Sequence, residues 1–360
     1  MNAIRRTAAS ADLPAPRRGS RRVAALETLI DGLAILGSKH PGASPEVYGV
    51  DITRDVPYLP TGAAEHTLDV YTPQDRTGPL PVVLYVHGGG FRLLSKDTHW
   101  MMAVTFARRG YLVLNVNYRL AQTAPFPAAH EDVAAAWLWA LDNVERLGGD
   151  PSRIIVAGES AGANLVTSLA IQTSAPRDEL WARRVYNRGV QPAAVVGYSG
   201  IYEVSGISRL LAGRRFPGTV RAWGEGIETS YLGRARGDDQ ATELADPVRL
   251  LEQGIRLDRP LPPFFLSVGT ADPLVDDSER LLTALTERAV AAELQVFEGE
   301  VHAFQMLTFR KAAKRSWSDT FAFLRLHGVD PVAATLPADA GLGERMRRWT
   351  RDRVLDVMAA

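Results

Sequence analysis

Six apolar runs alternate with longer helical segments along the middle of this chain, and this alternation constrains the fold more than any other feature. Strands that are apolar on both faces and are separated by helices form parallel sheets with helices on both sides. The pattern therefore predicts an α/β fold. The runs are PVVLYVH (81–87), YLVLNVN (111–117), RIIVAG (153–158), PAAVVGYSG (192–200), PFFLSVG (263–269) and ELQVFEG (293–299).

Two shorter strand-like runs precede these six. They are VYGVDIT (47–53) and HTLDVYT (66–72), with turn residues between them. Their closeness predicts a hairpin or meander. Together with the later runs they give a mostly parallel sheet of eight strands flanked by helices.

The segments outside the sheet predict a tail, a cap and a helical extension around one catalytic domain, residues 46–328. Residues 1–22 hold six arginines against one aspartate, and we expect a flexible tail there. Apolar residues at three- and four-residue steps predict an N-terminal cap helix over 23–45. A long insertion at about 200–260 predicts an ordered lid, and 329–360 contains a basic amphipathic helix.

Charge and cysteine content exclude several classes of function. Lysine plus arginine equals aspartate plus glutamate at 41 each, so net charge provides no general attraction to nucleic acid. The absence of cysteine excludes disulfides and thiolate catalysis, and it is typical of a reducing compartment, so we expect a cytoplasmic protein. No run approaches the ~20 apolar residues of a membrane span.

The motif GESAG (158–162) places the hydroxyl of Ser160 between two glycines where the fifth strand turns into a helix. Glycines allow a helix to begin close against a sheet, so packing alone is one explanation. The same sharp turn also holds a serine in a strained, exposed position, where its oxygen can meet a substrate.

A nucleophilic serine needs a histidine that accepts its proton and a carboxylate that fixes the tautomer of that histidine. Only His302 and His327 follow Ser160 in the chain. His302 comes just after the last strand, whereas His327 lies near a predicted helix end, where it would interact with the helix dipole. Because the expected order is serine, acid, histidine, we predict His302 as the base.

Three aspartates after the seventh strand are candidates for the acid. Asp272 follows the strand directly, at the end of the sheet where ligands bind in open α/β folds. We interpret Asp276 as a helix N-cap, with Glu279 completing a capping box. Asp277 would lie in the first helical turn, where negative charge is stabilised. Asp272 is therefore the predicted acid.

A run of glycines after the third strand provides a candidate oxyanion hole. In HGGG (87–90) successive glycines let backbone N–H groups point into a site, and each such donor is worth about 3 kcal/mol. We predict that Gly88, Gly89 and Ala161 donate these N–H groups, and that His87 is structural. We find no P-loop, dinucleotide fingerprint or metal-binding histidine pair, so no cofactor and no metal are expected.

These motifs resemble those of the hormone-sensitive-lipase-like carboxylesterases, which have the α/β-hydrolase fold. The matching stretches lie within residues 45–325 and include HGGGF, GDPSRIIVAGESAGANL, DPLVD and VHAF. The resemblance implies a triad of Ser160, Asp272 and His302. It also implies that the N-terminal helix and the insertion form a cap over the acyl and alcohol pockets.

The chain departs from the resemblance at the expected wall of the pocket. Leu94 stands where relatives usually have the glycine of a Gly-Ser pair. The candidate pocket residues are Phe91, Leu94, Glu159, Tyr198 and Ser199. Glu159 is expected to be a supporting or packing residue, and Tyr198 and Ser199 either border the acyl pocket or pack at the end of their strand, with packing favoured.

The expected function is hydrolysis of small to medium acyl esters through a covalent acyl-enzyme. The same triad would serve an amidase, a formamidase or a thioesterase, and the fold can also serve as a non-catalytic small-molecule receptor. The expected partner is a small-molecule ester, with no nucleic acid and no membrane span. The terminal helices could pack on the body, join a homodimer or lie on a membrane surface.

Overall fold

The alternating apolar runs form one eight-stranded sheet in the computed structural model, which describes residues 45–212 and 218–331 and the isolated positions Gly32 and Leu36. The strands are β1 (Val50–Pro57), β2 (Thr67–Pro73), β3 (Leu80–Val86), β4 (Leu112–Val116), β5 (Gly149–Glu159), β6 (Val195–Tyr198), β7 (Phe264–Gly269) and β8 (Ala292–Phe297).

Within the sheet the strands lie in the order β1-β2-β4-β3-β5-β6-β7-β8. The first two strands form an antiparallel hairpin, and β2 pairs with β4 in the antiparallel direction. All later pairings are parallel. The predictions of a hairpin and of a mostly parallel eight-stranded sheet are therefore confirmed.

Helices cover both faces of the sheet in the described part of the chain. One face packs against α2, α3, α4, α7 and α8, and the other against α1 and α9. The helices are α1 (Trp100–Ala107), α2 (Ala128–Asn143), α3 (Ala161–Ser174), α4 (Leu180–Asn187), α5 (Ile207–Ala212), α6 (Gly218–Leu232), α7 (Pro247–Glu252), α8 (Val275–Glu287) and α9 (Lys311–Leu326).

The strand register brings the candidate residues to one edge of the sheet. Val86 at the end of β3 pairs with Gly158, and Glu159 pairs with Tyr198 at the end of β6. Tyr198 in turn pairs with Ser267 of β7. Because all these strands are parallel, the segments that follow them leave the sheet at the same edge, which is where ligands bind in open α/β folds.

The insertion predicted at about 200–260 contains α5, α6 and α7. Helix α6 packs against the glycine run: a Cβ atom on Gly90 would lie 2.8 Å from Cδ1 of Ile227. The ring of Phe91 stacks on Tyr231 with centroids 3.7 Å apart. The predicted N-terminal tail and C-terminal helix lie outside the described residues, as does most of the N-terminal helix, of which Gly32 and Leu36 are described.

The predicted N-cap at Asp276 is wrong. Helix α8 already begins at Val275, with Leu274 as its N-cap, and Asp276 lies inside the first turn. The Asp272 side chain accepts the Leu274 N–H at 2.9 Å in the turn just before the helix. Asp277 also lies in the first turn, as predicted. Its buried carboxylate accepts two further backbone N–H groups, from Tyr202 and Glu203.

Candidate active site

Ser160 lies at the sharp turn between β5 and α3, with φ 53° and ψ −112°. A non-glycine residue at positive φ is strained, and such strain is concentrated at functional sites. Its N–H donates to the Tyr198 carbonyl at 2.8 Å. The flanking glycine Gly162 is required by packing, because a Cβ atom there would collide with the carbonyl of Val86. The turn thus combines close packing with a strained serine.

Three side chains meet at this edge of the sheet in a hydrogen-bonded chain. Nε2 of His302 lies 3.0 Å from Oγ of Ser160, and Nδ1 lies 2.9 Å from Oδ2 of Asp272. Asp272 is fully buried, while the His302 side chain is 30% exposed. The structure therefore brings together the three residues predicted as nucleophile, acid and base, in an arrangement that can move the hydroxyl proton of Ser160 onto the imidazole.

The electrostatics of the site favour a positively charged His302. Burial by itself would lower the pKa of the imidazole. The negative charge of Asp272, the hydrogen bond to it and the charge of Glu159 outweigh burial and raise the pKa of His302 to about 9. An imidazole with a raised pKa is a stronger base once it is deprotonated.

The loop that holds His302 is fixed by Ser199. The hydroxyl of Ser199 accepts the N–H of Ala303 at 3.2 Å, and the N–H of Ser199 donates to the Ser267 carbonyl at 2.8 Å. Ser199 has φ 48° and is fully buried. These contacts of Ser199, a candidate for the pocket or for strand-end packing, hold the histidine loop against β7.

Tyr198 is not brought to the site. Its side chain lies on the other face of the sheet, where its hydroxyl is 2.9 Å from Oγ1 of Thr320 and its ring is 5.3 Å from that of Trp317. Phe91, which follows the glycine run, is fully buried in its stack on Tyr231.

The glycine run lies directly beside the turn that holds Ser160. A Cβ atom on Gly88 would collide with the carboxylate of Glu159. The N–H of Gly88 donates to Nε2 of His99 at 3.4 Å. The neighbouring His87 stacks on Tyr118 at 4.3 Å, and burial lowers its pKa to about 3, so it is neutral and structural.

Leu94 occupies a backbone conformation that suits glycine. Its φ is 69°, and its Cγ would lie 3.2 Å from a Cβ atom on Gly89. Its side chain is half-buried. The residue that departs from the resemblance is therefore strained and packs against the glycine run.

Glu159 and His99 form the contact that sequence reasoning did not find. The buried carboxylate of Glu159 lies 3.3 Å from Nε2 of His99 through Oε2, and 3.4 Å from Nε2 of His302 through Oε1. His99 is 60 residues from Glu159 in the chain and belongs to no motif, so the sequence alone contains no signal for it.

Comparisons with known proteins show which family the chain belongs to. A family model described as alpha/beta hydrolase fold matches residues 83–306, which is more than half of the chain. The chain belongs to this family. The predicted fold, and the predicted resemblance to a family of ester-hydrolysing enzymes, are thereby confirmed.

Individual relatives are similar over most of their length. A carboxylesterase, NlhH, from Mycobacterium tuberculosis is 32% identical over 244 residues, 68% of this chain and 72% of its own. An acetyl esterase from Salmonella schwarzengrund is 30% identical over 248 residues, 68% of this chain and 71% of its own. The solved structure of an esterase from Pyrobaculum calidifontis has a TM-score of 0.66 at 26% identity and covers 87% of this chain and 95% of its own.

None of the helices in the described ranges combines the length and apolar character that crossing a membrane requires.

Proposed function

We propose that the protein hydrolyses small to medium acyl esters through a covalent acyl-enzyme on Ser160. The observation that supports this most directly is the hydrogen-bonded chain from Oγ of Ser160 through His302 to Asp272. The names of the relatives, a carboxylesterase and acetyl esterases, favour esters over other acyl compounds.

The proposed reaction has two halves. In the first, Oγ of Ser160 attacks the ester carbonyl carbon while Nε2 of His302 takes its proton, and Asp272 stabilises the resulting imidazolium. The tetrahedral intermediate collapses as the carbon–oxygen bond to the alcohol breaks, and His302 gives its proton to that alcohol. In the second half, water attacks the acyl-enzyme with His302 as base, and the carboxylic acid leaves.

The oxyanion would be held by backbone N–H groups at the start of α3 and in the glycine run. We propose Gly88, Gly89 and Ala161 as the donors, each worth about 3 kcal/mol in the transition state. The nitrogen of Gly88 lies 3.4 Å from Nε2 of His99, and its N–H can turn to the oxyanion when Nε2 of His99 donates to Glu159 instead.

The position of α6 supports the proposed size of the substrate. Ile227 and Tyr231 place this helix directly on the glycine run. We expect an acyl or alcohol group bound beside the glycine run to meet α6 and the half-buried Leu94, which packs against Gly89. This closeness supports small to medium groups over long chains.

The test compares the wild type with Ser160→Ala on p-nitrophenyl esters of increasing acyl length. We expect kcat/KM to fall by at least about a thousandfold in Ser160→Ala. Wild type treated with an organophosphonate should gain the mass of one adduct, and the variant none. A matched control is Ser168→Ala on α3, because Ser168 is buried and hydrogen-bonds the Leu244 carbonyl. Undiminished turnover in Ser160→Ala would refute the proposed nucleophile.

The triad geometry by itself serves amides and thioesters as well. Parallel assays with p-nitroanilides and thioesters of the same acyl groups distinguish these alternatives. Faster turnover of the anilide or of the thioester than of the ester would make that compound the proposed substrate class. A folded protein that binds esters but forms no adduct and turns none over would favour a non-catalytic small-molecule receptor.

A further inference from the structure

The carboxylate of Glu159 lies between two imidazoles. Its Oε1 is 3.4 Å from Nε2 of His302, and its Oε2 is 3.3 Å from Nε2 of His99. The side chain is 4% exposed. Asp272 contacts the opposite nitrogen of the same ring, Nδ1 of His302. The catalytic imidazole therefore has a carboxylate at each of its nitrogens.

His99 can make only one of two contacts at a time. When Nε2 of His99 has a hydrogen, it donates to Glu159. When Nε2 has none, it accepts the N–H of Gly88, 3.4 Å away. Its other nitrogen, Nδ1, lies 3.3 Å from the Ser95 carbonyl and 3.1 Å from the Thr98 hydroxyl. His99 thus connects the glycine run to the carboxylate beside the catalytic base.

We propose that Glu159 and His99 form a second carboxylate–imidazole pair. In this pair Glu159 is a positioning residue that stabilises the His302 imidazolium from its Nε2 side. His99 weakens this stabilisation, because it draws the same carboxylate towards itself. The proposal rests on the function of Ser160 and His302 proposed above. It explains why the residue next to the nucleophile is a buried carboxylate, and why Gly88 has no room for a side chain.

The other titratable groups packed around the pair are uncharged at neutral pH. Tyr85 on β3 and Tyr118 after β4 face Glu159, and burial together with its charge raises the pKa of both hydroxyls. Burial and the neighbouring His99 lower the pKa of His87 to about 3. Among the described groups, Asp272 and Glu159 are then the carboxylates that raise the pKa of His302.

The removal of Glu159 and the removal of His99 should shift the pH dependence of kcat/KM in opposite directions. Glu159→Gln keeps the shape and removes the charge, so the acid limb of kcat/KM should move to lower pH by about one unit. His99→Asn keeps a group near Ser95 but loses the contact to Glu159, so the limb should move to higher pH. His99→Gln places an amide N–H near the Nε2 position and should restore the wild-type profile.

The closing experiment measures both rates and protonation. We would record kcat/KM from pH 5 to 10 for the wild type, the three variants and the double variant Glu159→Gln/His99→Asn. The histidine ring nitrogens would be followed by NMR over the same range, with His302 assigned by its loss in His302→Gln. Thermal unfolding would establish that each variant folds. The double variant should match Glu159→Gln alone, because His99 acts through that carboxylate.

Two results would overturn the proposal: an unchanged His302 titration in the isosteric Glu159→Gln, or shifts of the same sign in Glu159→Gln and His99→Asn. The titration of His302 in Glu159→Gln tests the proposal even if His99→Asn does not fold. If the titration of His302 followed by NMR shifts but the acid limb of kcat/KM does not, His302 is refuted as the base, and with it the proposed function.

Discussion

Replacing Asp272 by asparagine tests whether the acid acts by fixing the tautomer of His302. Oδ1 of Asp272 accepts the Leu274 N–H at 2.9 Å and lies 3.1 Å from Nδ1 of His302, while Oδ2 is the nearer oxygen to Nδ1, at 2.9 Å. In Asp272→Asn the amide oxygen would stay on Leu274, so the amide nitrogen would take the position nearer to Nδ1. An N–H donor there forces Nδ1 to be the acceptor and leaves the hydrogen on Nε2. The imidazole could then no longer accept the proton of Ser160.

The expected loss follows from the charge as well as the tautomer. The pKa of His302 is raised from 6.5 to about 9, which corresponds to about 3 kcal/mol of preference for the imidazolium, shared by Asp272 and Glu159. Losing the larger part of this preference together with the correct tautomer should lower kcat by about 10³–10⁴-fold. This corresponds to about 4–5 kcal/mol of transition-state stabilisation.

The assay is steady-state hydrolysis of p-nitrophenyl butyrate by purified wild type, Asp272→Asn and Asp276→Asn. Asp276 lies four residues away in the first turn of α8, so its variant controls for a lost charge at this end of the sheet and should retain wild-type kcat. A kcat for Asp272→Asn within tenfold of the wild type would refute the tautomer argument. So would a matching loss in Asp276→Asn.

Three further predictions concern stability and loop position. Since the pKa of His302 is raised on folding, its stabilising contribution is fully present below pH 6.5 and is lost as the pH rises towards 9. The difference in melting temperature between wild type and Asp272→Asn should therefore shrink from pH 6 to pH 9.5. A difference that stays constant over this range would contradict the prediction. Ser199→Ala removes the acceptor that holds the His302 loop and should lower kcat about tenfold with little change in KM, measured on the same esters; an unchanged kcat would show that the loop is held without it. Gly162→Ala should lower the free energy of unfolding by about 3 kcal/mol or prevent folding, because its methyl group would collide with the Val86 carbonyl, and denaturant titration showing wild-type stability would disprove that reading.

The strands and the three meeting residues were accessible from the sequence for a physical reason. Parallel strands need apolar residues on both faces and helices between them, so their number and order leave a strong pattern. The positions of Ser160, Asp272 and His302 follow from the ends of these strands. Because parallel strands end at one edge of the sheet, the three residues could be predicted to lie close together although they are far apart in the chain.

The apolar pattern of the strands does not show which face of the sheet each side chain occupies. Strand β6 is buried on both sides, so apolar content does not reveal that Tyr198 points away from the nucleophile. The start of α8 was misplaced because Leu274, its N-cap, makes no side-chain capping bond, so no capping residue marks this start in the sequence. The contact of His99 with Glu159 joins the residue before α1 to the end of β5, 60 residues apart in the chain, and no local motif records it.

The location of the proposed base in the sheet has a consequence for how the protein loses activity. Ser160 follows β5, a strand with a neighbour on each side, whereas His302 follows β8, the last strand of the sheet. Strand β8 is the less protected of the two, since Val296 within it is 43% exposed. Partial opening of a protein begins where few buried contacts must be broken. On warming, β8 should therefore detach before the centre of the sheet melts, and turnover would cease in molecules that are still mostly folded.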